Sequence, residues 1–96
     1  MAVAVYFYPK CMTLDKFADT HRRLAVVGAA EPLGRIHHSC FGQDGDLMVY
    51  DIWESQEAFE SFGKTLMPIL AEAGIDPGEP AVMPVHRLEQ SASNQT

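Results

Sequence analysis

Histidines are the residues of this chain whose type best suits acid–base chemistry. His37 and His38 are adjacent in a β-forming stretch, so their side chains point to opposite faces of a strand and cannot both line one site. Either could be a general base, because imidazole ordinarily titrates near neutral pH. His21 lies on the inner stripe of a predicted helix, facing the core or a pocket. A hydrogen-bonded histidine with no catalytic role is the alternative for each of them.

Trp53 is the sharpest candidate for contact with a ligand. It ends a β-branched and aromatic run, and Ser55, a favourable helix N-cap, follows two residues later. A large aromatic ring at this strand-to-helix junction could stack on a flat molecule. The further residues predicted to line a ligand site are Tyr6, Tyr50, Phe62 and His86. The alternative is that Trp53 packs against Phe59 and anchors the start of the helix.

Asp51 and two arginines have roles that the sequence leaves open. Asp51 could act as a base if it is buried, or it could be a paired or rim carboxylate. Arg35 and Arg87 could pair with acidic groups across an interface or hold an anion, and the favoured alternative for both is a surface salt bridge.

Nothing in the sequence indicates a metal or a cofactor. His86 is predicted on the last strand, at the opposite edge of the sheet from His37 and His38, and the spacing does not suit zinc. Cys11 and Cys40 have no close metal-ligand spacing and are too few for a disulfide framework. The chain has no Gly-x-Gly-x-x-Gly motif and no phosphate-binding loop. We therefore expect no metal and no flavin or nicotinamide cofactor.

Composition narrows the class of protein further. The chain has 96 residues and a formal net charge of −6, which disfavours nucleic acid and anionic membrane surfaces as partners. We expect no signal peptide and no transmembrane segment, and a reducing, cytoplasmic location. Residues 1–90 should form a single domain, and the polar residues 91–96 should be a disordered tail.

Hydrophobic periodicity predicts six elements in the order β-α-β-β-α-β. The predicted ranges are strands at 2–8, 35–41, 47–53 and 81–88 and helices at 14–27 and 55–73. Pro68 should kink or divide the second helix, and Pro84 should confine the last strand to a sheet edge or a bulge. This order is the ferredoxin-like α+β arrangement, a four-stranded antiparallel sheet with both helices on one face. The first and third strands are expected at the centre of the sheet.

The sheet strands are apolar on both faces, and two helices can cover only one. In the first strand, Val3, Val5 and Phe7 alternate with residues that are also apolar or aromatic. An apolar second face on a small chain favours a partner. The simplest partner is a second copy packing sheet against sheet, so we expect a homodimer.

The segment 51–59, with the sequence DIWESQEAF, resembles the dimeric α/β-barrel superfamily, and most closely its small antibiotic biosynthesis monooxygenase-like proteins. The segments 12–15, 34–37, 70–75 and 82–86 resemble the same proteins. The resemblance implies a homodimer whose two sheets close into a barrel, with a ligand cavity between helices and sheet in each subunit. It also implies, for the quinone-forming members, oxygenation without a cofactor, in which a substrate carbanion reduces dioxygen.

Haem-degrading relatives in this superfamily use a Trp at the end of the third strand, an Asn on the first strand and an axial His on the second helix. Only Trp53 matches, because the first strand here has no Asn and the helix position aligns near Glu72. Haem is therefore not expected.

The functional hypothesis is a monooxygenase-like protein that binds a small aromatic or apolar molecule in a helix–sheet pocket. The alternative is a non-catalytic ligand-binding or structural homodimer. The enzyme needs a pocket with a convergent base and donor, whereas the alternative needs only packing. If Phe59, Phe62 and Leu66 together fill the cavity beneath Trp53, the enzyme hypothesis fails.

Overall fold

A computed structural model describes residues 1–89 of the chain. The elements are β1 (Val3–Phe7), α1 (Leu14–Val26), β2 (Arg35–Gln43), β3 (Asp46–Trp53), α2 (Gln56–Glu72) and β4 (Ala81–Pro84). The strands form one antiparallel sheet in the order β2-β3-β1-β4. The predicted ferredoxin-like α+β fold is confirmed, including the central position of β1 and β3. The tail predicted at 91–96 lies outside the described residues.

Both helices begin at the side chains that the sequence indicates. The Thr13 hydroxyl accepts a hydrogen bond from the Lys16 backbone N–H at 3.1 Å, and the Ser55 hydroxyl accepts one from the Ala58 N–H at 3.1 Å. Each bond satisfies a backbone donor that the first helical turn would otherwise leave without a partner. The Ser55 cap starts α2 directly after β3, so this helix crosses the sheet beside the end of that strand.

Two predictions about prolines have different outcomes. Pro68 does not divide the second helix, because α2 runs unbroken from Gln56 to Glu72, and the alternative expectation of a kink stays a prediction. One missing backbone N–H is tolerated there, since the next two residues, Ile69 and Leu70, are both buried and anchor the last turn. Pro84 does belong to an edge strand, as predicted, but β4 also ends at that residue.

The helix-facing side of the sheet carries most of the core. Val3, Val5 and Phe7 alternate inward along β1, and their partners on β3 are Trp53, Asp51 and Val49. Phe59, Phe62 and Ile69 of α2 pack against these side chains, and Leu24 contributes from α1. Asp51 is thus a carboxylate embedded in an apolar layer, which requires a polar partner nearby.

The other side of the sheet has no helix over it. Tyr6 and Tyr50 are direct cross-strand partners on this side, and Phe41 pairs with Met48 beside them. We call this surface, with His37, Met83 and the four residues just named, the open sheet face. Neither helix among residues 1–89 is long and apolar enough to span a bilayer.

Candidate functional site

A hydrogen-bonded His–Asp pair lies on the helix-facing side of the sheet, between the edge strand β2 and its neighbour β3. The short turn at Asp44 and Gly45 pairs Gln43 with Asp46, and that register places His38 directly opposite Asp51. His38 Nδ1 lies 2.6 Å from Asp51 Oδ1. The Asp51 residue is only 4% exposed, so this bond supplies the partner that its burial demands.

The pair fixes the tautomer of the neutral His38 imidazole. A carboxylate can only accept hydrogen bonds, so His38 Nδ1 must carry the proton that is shared with Asp51. His38 Nε2 is then the free nitrogen of the ring, and it is buried with no hydrogen-bond partner among the described residues. An imidazole oriented by a carboxylate, with its second nitrogen free, is the arrangement of a general base.

A cavity of about 60 Å³ lies between the sheet and the two helices, and both members of the pair line it. Its polar lining residues are Thr20, His21, Arg35, His38 and Asp51. The apolar side chains that make up most of the wall include Phe7, Leu24, Val49, Phe62, Leu66 and Leu70. A mostly apolar pocket with a few convergent polar groups is the usual form of a small-molecule site.

Two rings from α1 lie against His38. The Phe17 ring is stacked near it, with centroids 6.1 Å apart and planes at 17°, and the His21 ring centroid lies 5.4 Å away. His21 Nδ1 is 3.2 Å from the Phe17 carbonyl oxygen, which accepts its hydrogen bond. Both side chains line the cavity beside His38, so a ligand that reaches Nε2 has to fit against them.

The structure places Trp53 beside the cavity and not in its wall. The residue is 0% exposed, and its ring centroid lies 5.9 Å from that of Phe59 and 5.3 Å from that of Phe62. These two rings fill the space beneath Trp53 where the sequence predicted a pocket. Trp53 Nε1 is buried without a hydrogen-bond partner among the described residues. The cavity lining supports ligand contact for Phe62 but gives no support for Trp53.

The other predicted ligand contacts lie away from the cavity. Tyr6 and Tyr50 are on the open sheet face, as is His37, whose ring centroid is 5.6 Å from that of Tyr50. His86 is exposed and follows β4, so its predicted place on the last strand is wrong, because the strand stops at Pro84. Of the three candidate bases, His21 and His38 line the cavity, and His37 does not.

His38 and Asp51 are separate candidates in the sequence, and their pairing was not predicted. The signal was present, because a two-residue turn at Asp44 and Gly45 sets the cross-strand partners from Gln43 and Asp46 as far as His37 and Ile52. Counting outward from that turn leads to His38 opposite Asp51. Within residues 1–89, no cluster of three His, Cys, Asp or Glu side chains is placed to hold a metal ion.

No protein-family model matches the sequence, and a search of curated proteins gives no significant match. Solved structures do match over most of the chain. One is SnoaB from Streptomyces nogalater, a cofactor-independent oxygenase, with a TM-score of 0.62 at 16% identity, covering 91% of this chain and 94% of that one. A second is the structural-genomics protein YJCS, with a TM-score of 0.64 at 14% identity, covering 90% of this chain and 100% of the other.

A third similar structure is a candidate antibiotic biosynthesis monooxygenase from Chloroflexus aurantiacus. Its TM-score is 0.60 at 15% identity, and the match covers 93% of this chain and 98% of that one. The structure described here therefore has the fold of the antibiotic biosynthesis monooxygenase-like proteins, as the segment 51–59 predicts. At these identities the likeness establishes the fold, and the chemistry has to be argued from the site itself.

Proposed function

We propose that the protein binds a small aromatic molecule in the cavity and oxygenates it without a cofactor, with His38 as the general base. The observation that carries the proposal is the hydrogen bond between His38 and the buried Asp51, which leaves Nε2 free in an otherwise apolar pocket. The SnoaB likeness supports the proposal at the level of fold, because that protein is a cofactor-independent oxygenase.

The proposed reaction converts an activated CH2 group flanked by phenolic rings into a ketone. His38 Nε2 removes one proton from the carbon, and the carbanion transfers an electron to dioxygen. The two radicals combine into a carbon-bound peroxide anion, which takes the proton back from His38. Loss of the second carbon-bound hydrogen as a proton, with cleavage of the O–O bond, gives the ketone and water. The two C–H bonds supply all four electrons, and each oxygen atom of dioxygen ends in one product.

The protein's contribution is to orient the base and exclude water. The carboxylate of Asp51 stabilises the imidazolium that forms when His38 accepts the proton. The apolar wall keeps the carbanion away from bulk water, which would otherwise return a proton before dioxygen reacts. A cavity of about 60 Å³ is too small for a polycyclic phenol, so binding must move side chains. Phe17 and His21, which line the cavity beside His38, are the side chains expected to move.

We also propose that two copies associate through the open sheet face. Tyr50 and Tyr6 are central to that face and only half-buried, and Phe41 and Met83 beside them are exposed. A contiguous apolar surface of this kind is costly in water and is the usual site of association. Packing of the open sheet faces of two copies against each other would close the barrel that the sequence resemblance implies.

The rival function is a non-catalytic ligand-binding or structural homodimer. One observation favours it: Phe59 and Phe62 fill the space beneath Trp53 that the enzyme hypothesis first assumed to be a pocket. The rival needs no role for the His38–Asp51 pair beyond satisfying a buried carboxylate. The two functions therefore differ on whether His38 is needed for any reaction.

Oxygen consumption with dithranol, an anthrone, tests the proposal. The purified protein should accelerate oxygen uptake over the uncatalysed rate, and His38→Gln should lower kcat on the order of a hundredfold or more. His37→Gln is the matched control, because this neighbouring histidine points to the open sheet face, and it should keep the wild-type rate. Equal rates for the two variants, or no acceleration by the wild type, would favour the rival.

A further inference from the structure

A β-bulge near the start of β2 turns one side chain toward the cavity. Arg35 pairs with Trp53 and His37 pairs with Ile52, so Ile36 is an extra residue with no partner on β3. In a regular strand, Arg35 and His38 are three positions apart and would point to opposite faces. The bulge shifts this alternation by one residue, and Arg35 joins His38 among the residues that line the cavity. Ile36 is left 42% exposed.

The Arg35 guanidinium is poorly satisfied where it lies. Its hydrogen bond to the Ala30 carbonyl oxygen is long, at 3.4 Å. Within residues 1–89, no carboxylate oxygen comes within 4.0 Å of it. Asp51, the carboxylate in the cavity lining, is engaged by His38. A half-buried guanidinium with unused donors, at the edge of an apolar cavity, is suited to an anion from outside the chain.

We propose that the ligand of this cavity carries a carboxylate, and that Arg35 binds this group while His38 faces the reacting carbon. The inference rests on the proposed function, since it names the class of ligand for the same site. The cross-strand partners of Arg35 and His38 are two residues apart on β3, which corresponds to about 7 Å along the strand. That separation matches a carboxylate attached to an aromatic ring whose opposite side meets the base. The ligand class is therefore a small phenolic or enolic aromatic acid.

The protein's net charge of −6 means that the Arg35 guanidinium is a local exception in an acidic chain. An acidic chain repels anions in general, so a carboxylate gains affinity only where a local positive group meets it. The fork of an arginine can form two parallel hydrogen bonds with a carboxylate, and an ester or amide cannot supply the matching charge. Discrimination between an aromatic acid and its ester is thus the signature of the proposed contact.

Calorimetric titration with a hydroxynaphthoic acid and its methyl ester tests the inference. We expect the wild type to bind the acid roughly ten- to a hundredfold more tightly than the ester. Arg35→Gln should remove this preference, and Arg35→Lys, which keeps the charge but not the fork, should retain part of it. Arg87→Gln is the control, because the Arg87 side chain is 80% exposed and pairs with Glu89 away from the cavity. Circular dichroism establishes that each variant is folded.

The outcomes separate this inference from the proposed function. Equal affinity of the wild type for acid and ester, or an unchanged preference in Arg35→Gln, overturns the carboxylate contact and leaves the role of His38 in place. An acid preference that depends on Arg35 supports the contact, and an anthrone carrying a carboxylate then replaces dithranol in the oxygen assay. If the wild type accelerates oxygen uptake with neither compound, the contact stands and the oxygenase is removed. Binding of neither compound to the wild type overturns the carboxylate contact, and the dithranol assay then decides the oxygenase by itself.

Discussion

The rings of Trp53 and Phe62 lie 5.3 Å apart, and of the two only Phe62 also lines the cavity. Phe62 therefore has one side in the core and the other against the ligand space. Trp53 supports it from behind, as a fully buried residue at the end of β3. The tryptophan thus affects the site through the position of its neighbour.

Replacing Trp53 should reduce stability more than it changes binding directly. Trp53→Ala removes a fully buried ring, and we expect the free energy of unfolding to fall by about 3–5 kcal/mol. Trp53→Phe keeps an aromatic ring and removes an indole N–H that has no acceptor among the residues the structure describes, so it should cost much less. Urea unfolding measures both changes. If Trp53→Phe is folded yet loses affinity for a hydroxynaphthoic acid, Trp53 contacts the ligand, and core packing is not its main role.

Most of the fold follows from local features of the sequence. Thr13 and Ser55 are strong N-caps at the ends of apolar patterns, and both cap helices in the structure. The strand and helix patterns together predict the order of the six elements, and the helix periodicity predicts which face each helix buries. These features act over a few residues, so composition and spacing are enough to predict them.

The site depends on register and on one irregular residue, which are harder to predict. The pairing of His38 with Asp51 can be found by counting residues outward along both strands from the turn at Asp44 and Gly45. The bulge at Ile36 has no such signal, because Arg35, Ile36 and His37 form an ordinary strand sequence. The bulge lies where Arg35 pairs with Trp53, so it belongs to the pairing of two strands and is not visible in local residue types.

Asp51→Asn tests the role of the carboxylate separately from that of the imidazole. The amide can keep a hydrogen bond to His38 Nδ1 but no longer stabilises an imidazolium, so kcat for dithranol should fall on the order of a hundredfold with little change in KM. Asp46→Asn on the same strand is the control, since Asp46 is exposed and accepts a hydrogen bond from Tyr8. An equal kcat in the two variants would show that the charge of Asp51 has no part in the reaction.

The two cysteines should differ in reactivity. Burial raises the pKa of the Cys40 thiol, so less of it is thiolate near neutral pH, and alkylation should be slow. Cys11 is exposed in the segment between β1 and α1. Mass spectrometry of the native protein during iodoacetamide treatment should show Cys11 modified first, and both modified rapidly in urea. Similar native rates at the two sites would contradict the partial burial of Cys40.

Asp19 should contribute to stability at neutral pH and not in acid. Its hydrogen bond with Arg23 and a second one with Arg22, both at 2.8 Å, hold the pKa of the Asp19 carboxyl below its ordinary value of 3.8. The contribution is complete above the ordinary value and is lost as pH falls through the lowered pKa of the folded state. The stability difference between wild type and Asp19→Asn, from urea unfolding, should therefore be constant near neutral pH and shrink in strong acid. If the stability difference between wild type and Asp19→Asn is the same at neutral pH and in strong acid, the charge of the Asp19 carboxylate is not the source of that difference.

The open sheet face gives the prediction that bears on assembly. Light scattering should give twice the mass of one chain, because Tyr50 and the apolar residues around it need a second surface to cover them. Tyr50→Glu places a charge at the centre of this face and should halve the measured mass while circular dichroism stays unchanged. Val26→Glu is the matched control, since Val26 is 85% exposed on α1, away from that face, and it should leave the dimer intact. A wild-type protein that stays monomeric at all concentrations would refute the association, and the open sheet face would then be exposed to water in the native protein.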